Sequence, residues 1–468
     1  MDSLSGNRQT QGKSSCCGAA PGRVAALRAL RRVTATAAAD SSEALNQAIG
    51  ELGLDERDAR LATALTLGVL RHHLFLMHQV SRFVNRKPSP ETALLLQMVA
   101  AQRFLLERIP PHAAVDDAVR LATGEMRLGP HEIGFVNAVA RRIAASPGPD
   151  LTPPQDRNRY LMIRHSIPPP LFRIARERFG ETVLEDVLEA MNHEPSLTLR
   201  ANRLRTTRED LSAALADLGV QTHPGHYAPD ALIAQDPADL PRLLRSDPWK
   251  AGLFYVQDEA SQLVAVMAAP QPGERVLDLC AAPGGKCLHA AEITAGQSFI
   301  VATDVSPQRL ELLKSNIQRL GTPGLELRTP DSLPRDKRFD LVLVDAPCSG
   351  IGTVRRHPEI KLRMGRTGRR SLKQHQERQI ELLCRAADLT APGGRIVYST
   401  CSFAREENAE AVAKFLEVRR DFEVARNWPL PAALIPLRDP DGFLRTWPKA
   451  LALDGFEMCV LLHRTNSV

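Results

Sequence analysis

Two cysteines stand where strands should end, and they are the first residues in this chain that could do chemistry. Cys401 lies in "VYSTCSFAREEN", Val397 to Asn408, where a β-rich run gives way to a polar, helix-starting segment. A small core hydrophobe would suit that place, and so would a nucleophile. Cys348 lies in "DAPCSG", Asp345 to Gly350, after the apolar run "FDLVLV". A Gly-rich turn, "DLCAAPGGKC", Asp278 to Cys287, follows an earlier strand-like run. Its glycines let a backbone approach a ligand closely. It is not a Walker A loop, because no Ser or Thr follows Lys286, and it lacks G-x-G-x-x-G. Asp304 ends the next strand-like run, and an acid about 20 positions after such a turn can hold a ribose hydroxyl pair. A nucleoside without phosphates fits this combination, and S-adenosylmethionine is one such ligand. A purely structural turn is the other reading.

The elements that must position these groups begin near Leu253. Strand-like runs "RVLDLC", "FIVATD", "LELRT", "FDLVLVDAPC", "RIVYSTCS" and "FEMCVLLH" alternate with helical stretches such as "PQRLELLKSNIQRLG". That alternation predicts a mostly parallel, Rossmann-like sheet covered on both faces, with ligands at the carboxyl ends of its strands. Residues 22–145 read instead as an all-α domain, with apolar residues at helical spacing and turn signals between the runs. Asp55 and Ser89 are its candidate helix caps. A Pro-rich stretch over 146–159 reads as a linker, and 160–250 as a small α/β unit of unreadable function. Residues 251–468 form the domain with the sheet, and residues 1–21 read as a disordered tail.

Composition narrows the classes. The chain has 468 residues, 43% hydrophobic and 24% charged, which fits a multidomain soluble protein. There is no apolar run of membrane-spanning length and no signal-like h-region near the start. Eight cysteines show no C-x-x-C pair and no zinc spacing, so a cytoplasmic protein with reduced thiols and no metal is expected. Cys384 and Cys459 sit in apolar patterns and read as core residues. Net charge is +6. The segment "RRHPEIKLRMGRTGRRSLK", from Arg355 to Lys373, holds eight Lys/Arg and one Glu, a local +7. A solvated surface loop is the ordinary reading of such a run; next to a site that acts on nucleic acid, Arg355, Arg356, Lys361, Arg363, Arg366, Arg369 and Arg370 would instead form a phosphate-binding funnel.

The motifs "LDLCAAPGGK", "DAPCSGIG" with "RRHPEIK", and "STCS" with the later "EEN" resemble the NOL1/NOP2/Sun RNA cytosine-C5 methyltransferases. Upstream, "LNQAIGELGLDERDARLATALTLGVLR" and "IPPHAAVDDAVRLA" are similar to the NusB-like domain of that family's RsmB/Sun branch. The resemblance runs over roughly residues 22 to 465. It implies a seven-stranded methyltransferase domain that uses S-adenosylmethionine on small-subunit ribosomal RNA. It also implies cofactor contacts at Cys280, Ala281, Ala282, Pro283, Gly284, Gly285, Lys286, Asp304, Asp331 and Asp345. By the same resemblance Cys401 is the nucleophile, Cys348 assists product release and Asp345 faces the target base. Some positions depart from the family pattern: Cys287 stands where Thr is usual, and the C-terminal "TWPKALALDGFEM" lacks a usual His and Phe.

This chemistry needs a thiol because carbon 5 of cytosine is a poor nucleophile until a thiolate adds at carbon 6. An unperturbed cysteine is only roughly 3% thiolate at pH 7, so a cation such as Lys286 nearby would help. The target base would be single-stranded or flipped out, and the enzyme is expected to act as a monomer. The alternative is a non-catalytic RNA-binding, assembly or antitermination-type factor. The paired cysteines argue against it, as a Cys at 348 in place of a Pro-aromatic pair argues against amine methylation.

Overall fold

The computed structural model describes residues 18–36, 39–106, 109–149, 156–333, 338–447 and 453–465. The expected tail, with Cys16 and Cys17, and the atypical stretch 448–452 lie outside these residues. Contacts divide the chain into two units, Met1–Pro168 with His357–Arg363, and Pro169–Arg356 with Met364–Val468.

The first unit is all helical, as the 3.6-residue periodicity predicts. Its helices are Pro21–Ala35, Ser41–Leu52, Glu56–Arg71, His73–Ser81, Pro90–Phe104, Pro111–Arg120, Pro130–Ala144 and Arg157–Arg164. Four of them start on proline, whose missing N–H costs nothing in a first turn. The expected caps form. Asp55 Oδ1 accepts from Asp58 N at 2.8 Å and Ser89 Oγ from Thr92 N at 3.2 Å. One apolar face of each main helix closes a core that includes Leu27, Leu30, Leu65, Leu95 and Val139. A fully buried side chain of this size contributes about 1.5–3 kcal/mol. The last helix, Arg157–Arg164, and the turn after it belong here, since Ser166 Oγ accepts from Phe75 N at 2.9 Å.

The second unit contains two sheets. The smaller has four antiparallel strands, β1 (Leu197–Ala201), β2 (Thr222–Pro224), β3 (Ala231–Ala234) and β4 (Phe254–Val256), in the order β2-β3-β1-β4. The larger contains β5 (Arg275–Asp278), β6 (Phe299–Thr303), β7 (Leu325–Arg328), β8 (Phe339–Asp345), β9 (Thr390–Thr400), β10 (Phe422–Val424), β11 (Leu444–Arg445) and β12 (Glu457–His463). Seven of these run in the order β10-β12-β9-β8-β5-β6-β7, and two-residue β11 pairs with β12. The stretch from β7 to β9 is parallel, whereas β12 pairs antiparallel with both β9 and β10.

All six strand-like runs form strands. β10 and β11 were not foreseen, because pieces of two or three residues carry no periodicity. The path reverses at β5, which has β6 on one side and β8 on the other. In an open α/β sheet the ligand crevice lies at such a reversal, outside the carboxyl ends. Among the described residues no helix is long and apolar enough to cross a membrane.

Candidate active site

The carboxyl ends of β5, β8 and β9 carry the groups. Asp278 closes β5 and Asp345 closes β8, and the two thiol loops follow β8 and β9 directly. Lys286, on the first turn of the helix Gly285–Ile293, reaches back to Asp345 Oδ2 at 2.5 Å. Ser399 Oγ donates to the other Asp345 oxygen at 2.8 Å. Burial works against the Lys286 charge, but the Asp345 carboxylate outweighs it, and the Cys401 sulfur pulls the same way. The ammonium therefore sits above its ordinary value.

Cys348 Sγ and Cys401 Sγ lie 3.3 Å apart. Their contact, and then burial, push the Cys348 thiol well up, so Cys348 keeps its proton and can donate it toward Cys401. Burial likewise raises the thiols of Cys280, to about 12, and of Cys287 and Cys459. Cys459 on β12 is fully buried and Cys384 is half-buried within the apolar cluster, as core residues should be. Among the described cysteines, Cys401 both touches a second thiol and lies near enough to Lys286 for its sulfur to act on that ammonium.

The Gly-rich turn is held tightly against the helices beneath it. Gly284 has φ +116°, and a Cβ there would lie 2.6 Å from both Leu288 and Leu313. Carbonyls of this turn are pinned from below, with Asn316 Nδ2 donating to Pro283 O at 3.1 Å and Arg309 to Ala282 O. Asp278 is fully buried, and burial first, then Asp345, raise its carboxyl to about 7. Among the described residues its Oδ2 has no hydrogen-bond partner. Asp304, just past β6, is 3% exposed and ion-pairs Arg309 at 3.3 Å. A glycine lip, an orphaned buried oxygen and an acid at the next strand end fit a polar nucleoside. Asp331 stands apart. It is exposed on the turn Pro330–Ser332 and borders a cavity lined by Arg338, Arg385, Arg419 and His463. Among the described residues it makes no hydrogen bond to the Gly-rich turn, Asp304 or Asp345.

The basic segment needs correction. Arg355 is 2% exposed and pairs with Asp454 at 3.0 Å. Arg356 bridges Asp258 and Asp454, each at 2.6 Å. Lys361 is buried within the helical unit and donates to the carbonyls of Arg71 and His165 at 2.8 and 3.2 Å. Burial pushes its ammonium well below the usual value. These three side chains are structural cations, not phosphate ligands. Arg363 is half-buried, whereas Arg366, Arg369 and Arg370 are exposed. Arg369 also pairs with Glu406, at 3.0 Å, and with Glu177. The net charge of a segment does not reveal which of its charges find partners far along the chain.

The same fold pattern extends over known proteins. Residues 265–462 match the model for the 16S rRNA methyltransferase RsmB/F, 21–145 the NusB family, and 168–241 the ferredoxin-like domain of RsmF/B-like methyltransferases. A probable ribosomal RNA small subunit methyltransferase B of Bacillus subtilis is 31% identical over 87% of this chain and 91% of its own length. This chain belongs to the RsmB family of methyltransferases. The Klebsiella pneumoniae ribosomal RNA small subunit methyltransferase B is 34% identical over 79% of this chain and 84% of its own. Among solved structures, PH0851 superposes with a TM-score of 0.78 at 25% identity, covering 94% of this chain and 98% of that one. A methyltransferase homolog protein from Pyrococcus horikoshii gives 0.53 at 26% identity, covering 64% and 97%.

The family motifs had located both thiols, but not the acid that ties them together. Glu407 and Asn408, in the quoted "EEN", are both fully buried behind the thiol loops. Asn408 Oδ1 accepts from Thr400 Oγ1 at 2.6 Å, and its Nδ2 donates to the carbonyls of Ser402 and Ala404 at 2.9 Å. A glutamate at the start of a helix ordinarily faces water, so only the contacts of Glu407 with Ser349 and Ser402 reveal it as a buried partner of both loops.

Proposed function

We propose that this chain transfers a methyl group from S-adenosylmethionine to carbon 5 of a cytosine in 16S ribosomal RNA, through a covalent bond from Cys401 to carbon 6. The observation that carries this reading is the Cys348–Cys401 pair, 3.3 Å apart, beside the Lys286–Asp345 ion pair. When bound, S-adenosylmethionine supplies an electrophilic methyl group. The Gly-rich turn from Cys280 to Lys286, Asp304 and Asp278 would hold it.

Cys401 adds to carbon 6 of the ring, and the base edge at N3 takes up a proton from the polar group around Asp345 and Lys286. The ring then has enamine character, which makes its carbon 5 nucleophilic toward the methyl group that the cofactor would supply with its thioether as leaving group. Water takes the carbon 5 proton, the C–H electron pair restores the C5–C6 double bond, and the Cys401 sulfur leaves with the C6–S pair as a thiolate. Cys348, in contact with that sulfur, assists this last step. A base inside a duplex could not bring carbon 6 to a thiol at a strand end, so the cytosine is single-stranded or flipped out. Exposed Arg366, Arg369 and Arg370 attract the RNA backbone. The enzyme works in the cytoplasm as a monomer, on naked or early-assembly RNA rather than mature particles.

Mapping 5-methylcytosine in 16S RNA from a strain with and without the protein tests the reading. One cytosine should lose its carbon 5 methyl group and regain it with purified protein and methyl-labelled cofactor. A methyl group on an exocyclic amine or a ribose would contradict it.

A further inference from the structure

Ser349 follows Cys348 and Ser402 follows Cys401, and one buried carboxylate holds both serines. Glu407 Oε1 accepts from Ser349 N at 2.6 Å. Its Oε2 accepts from Ser349 Oγ and from Ser402 Oγ, each at 2.5 Å. The backbone of Glu407 is itself fixed, because the buried Tyr398 hydroxyl donates to its carbonyl at 2.5 Å. We propose that Glu407 is a positioning residue that holds the two thiol loops at their working separation and acts chiefly on Cys348. This inference rests on the assignment of Cys401 and Cys348 given above.

The two sides of the clamp are not equal. The Cys401 loop has anchors of its own, since Asn408 accepts from Thr400 Oγ1 and donates to the Ser402 carbonyl. Ser349 has both its N–H and its hydroxyl committed to Glu407. Losing the carboxylate therefore leaves the Cys348 loop with Gln379 Nε2 on Pro347 O, at 3.0 Å, as its neighbouring side-chain anchor, and leaves the Cys401 loop held by both Asn408 contacts. Glu407 is also costly to keep. No cation neutralises it in the hydrogen-bond set above, and burial raises its carboxyl to about 7. A buried acid with only neutral donors is an expensive way to fill space. An apolar residue would fill the same volume without that cost, but it could not join two loops.

The test compares Glu407→Ala and Glu407→Gln with Cys348→Ala and Cys401→Ala. In Gln, Oε1 still accepts from Ser349 N, and Nε2 donates to the two serine oxygens, so the bridge survives with its direction reversed. Glu407→Ala should bind S-adenosylmethionine with a Kd within about twofold of wild type. Its turnover should fall by about tenfold or more while a protein–RNA complex that survives denaturing electrophoresis accumulates. That is the behaviour expected of Cys348→Ala, and mere loss of stability would not produce it. Glu407→Gln should recover most of the turnover and lose the complex. Should Glu407→Ala fail to fold, Ser349→Ala removes one bridge and should trap the same complex to a smaller extent. Wild-type turnover in the folded Ala variant overturns the proposal. So does lost turnover without trapped complex, or Gln impaired as badly as Ala. If Cys348→Ala itself traps nothing, the thiol assignment fails first. If it traps and the Glu407 and Ser349 variants do not, the clamp alone is wrong.

Discussion

Arg356→Ala separates a structural cation from an RNA ligand. Arg356 Nε and Nη2 donate to Asp454 and Asp258 at 2.6 Å each, and Nη2 also reaches the Ser196 carbonyl at 3.1 Å. Burial and then Asp454 push the Asp258 carboxyl to about 6 even with the guanidinium present. Truncating Arg356 leaves Asp258 buried without its cation, and Asp454 with Arg355 alone. Breaking a buried pair in this way costs about 3–5 kcal/mol. For a cooperative unit of roughly 290 residues, unfolding entropy is about 0.6 kcal/mol per degree, so Tm should fall by about 5–8 °C. The loss should shrink near pH 5, where a stranded buried carboxyl can take a proton. Calorimetry at two pH values measures both effects. RNA titrations of the folded variant across salt concentrations supply the other half, and their slope should match wild type. A Tm within about 1 °C of wild type, with a log–log salt slope shallower by about 0.7–0.9, would mean that Arg356 neutralises a phosphate. That result would refute the structural assignment.

Asp304→Ala should weaken S-adenosylmethionine binding by about 1.5–3 kcal/mol, since an ionised acceptor is lost, and calorimetric affinity equal to wild type would remove Asp304 from the cofactor site. Neutralising Arg366, Arg369 and Arg370 together should make the salt slope of RNA binding shallower by about 2 and leave cofactor affinity unchanged, whereas equal slopes would contradict their role. His357 is held up at about 10 by Asp40 and then Glu359, which accept from Nδ1 at 3.3 and 3.4 Å. Because the folded value lies above the unfolded one of about 6.5, this stabilisation is complete below pH 6.5 and disappears as pH rises toward 10. The ring is 39% exposed, so screening reduces the effect to about 1–2 kcal/mol. Denaturant melts of wild type and His357→Gln should differ at pH 6 and converge near pH 10, and a constant difference would exclude this source.

The site was legible where the chemistry lies at the end of a strand. "DAPCSG" and "STCS" follow continuous apolar runs, so the period-two and buried-strand signals already put Cys348 and Cys401 at one edge of one sheet. Asp304 could be placed for the same reason. What failed were features that depend on partners distant in sequence. The acids that neutralise Arg355 and Arg356 are Asp258 and Asp454, about 100 residues away on either side, so a local count of +7 overstated the available charge. Glu407 was hidden because its partner Ser349 lies 58 positions upstream. Residues 160–250 were legible as a small α/β unit, but its strands β2 and β4 and their antiparallel order were not, since each has three residues and no readable alternation. One of its residues bears on the site. Arg200 on β1 is fully buried and donates to the Gly285 carbonyl at 2.7 Å and to Glu292 at 2.8 and 2.9 Å. In the sequence Arg200 looks like an ordinary surface arginine.

The most direct test of the account is to incubate Cys401→Ala and Cys348→Ala separately with substrate RNA and cofactor and resolve both on a denaturing gel. The account predicts no covalent complex and no methyl transfer for Cys401→Ala. For Cys348→Ala it predicts a stable protein–RNA complex carrying the transferred methyl group. A complex from Cys401→Ala and none from Cys348→Ala would exchange the two roles. Full activity without trapping in both variants would contradict a covalent mechanism altogether.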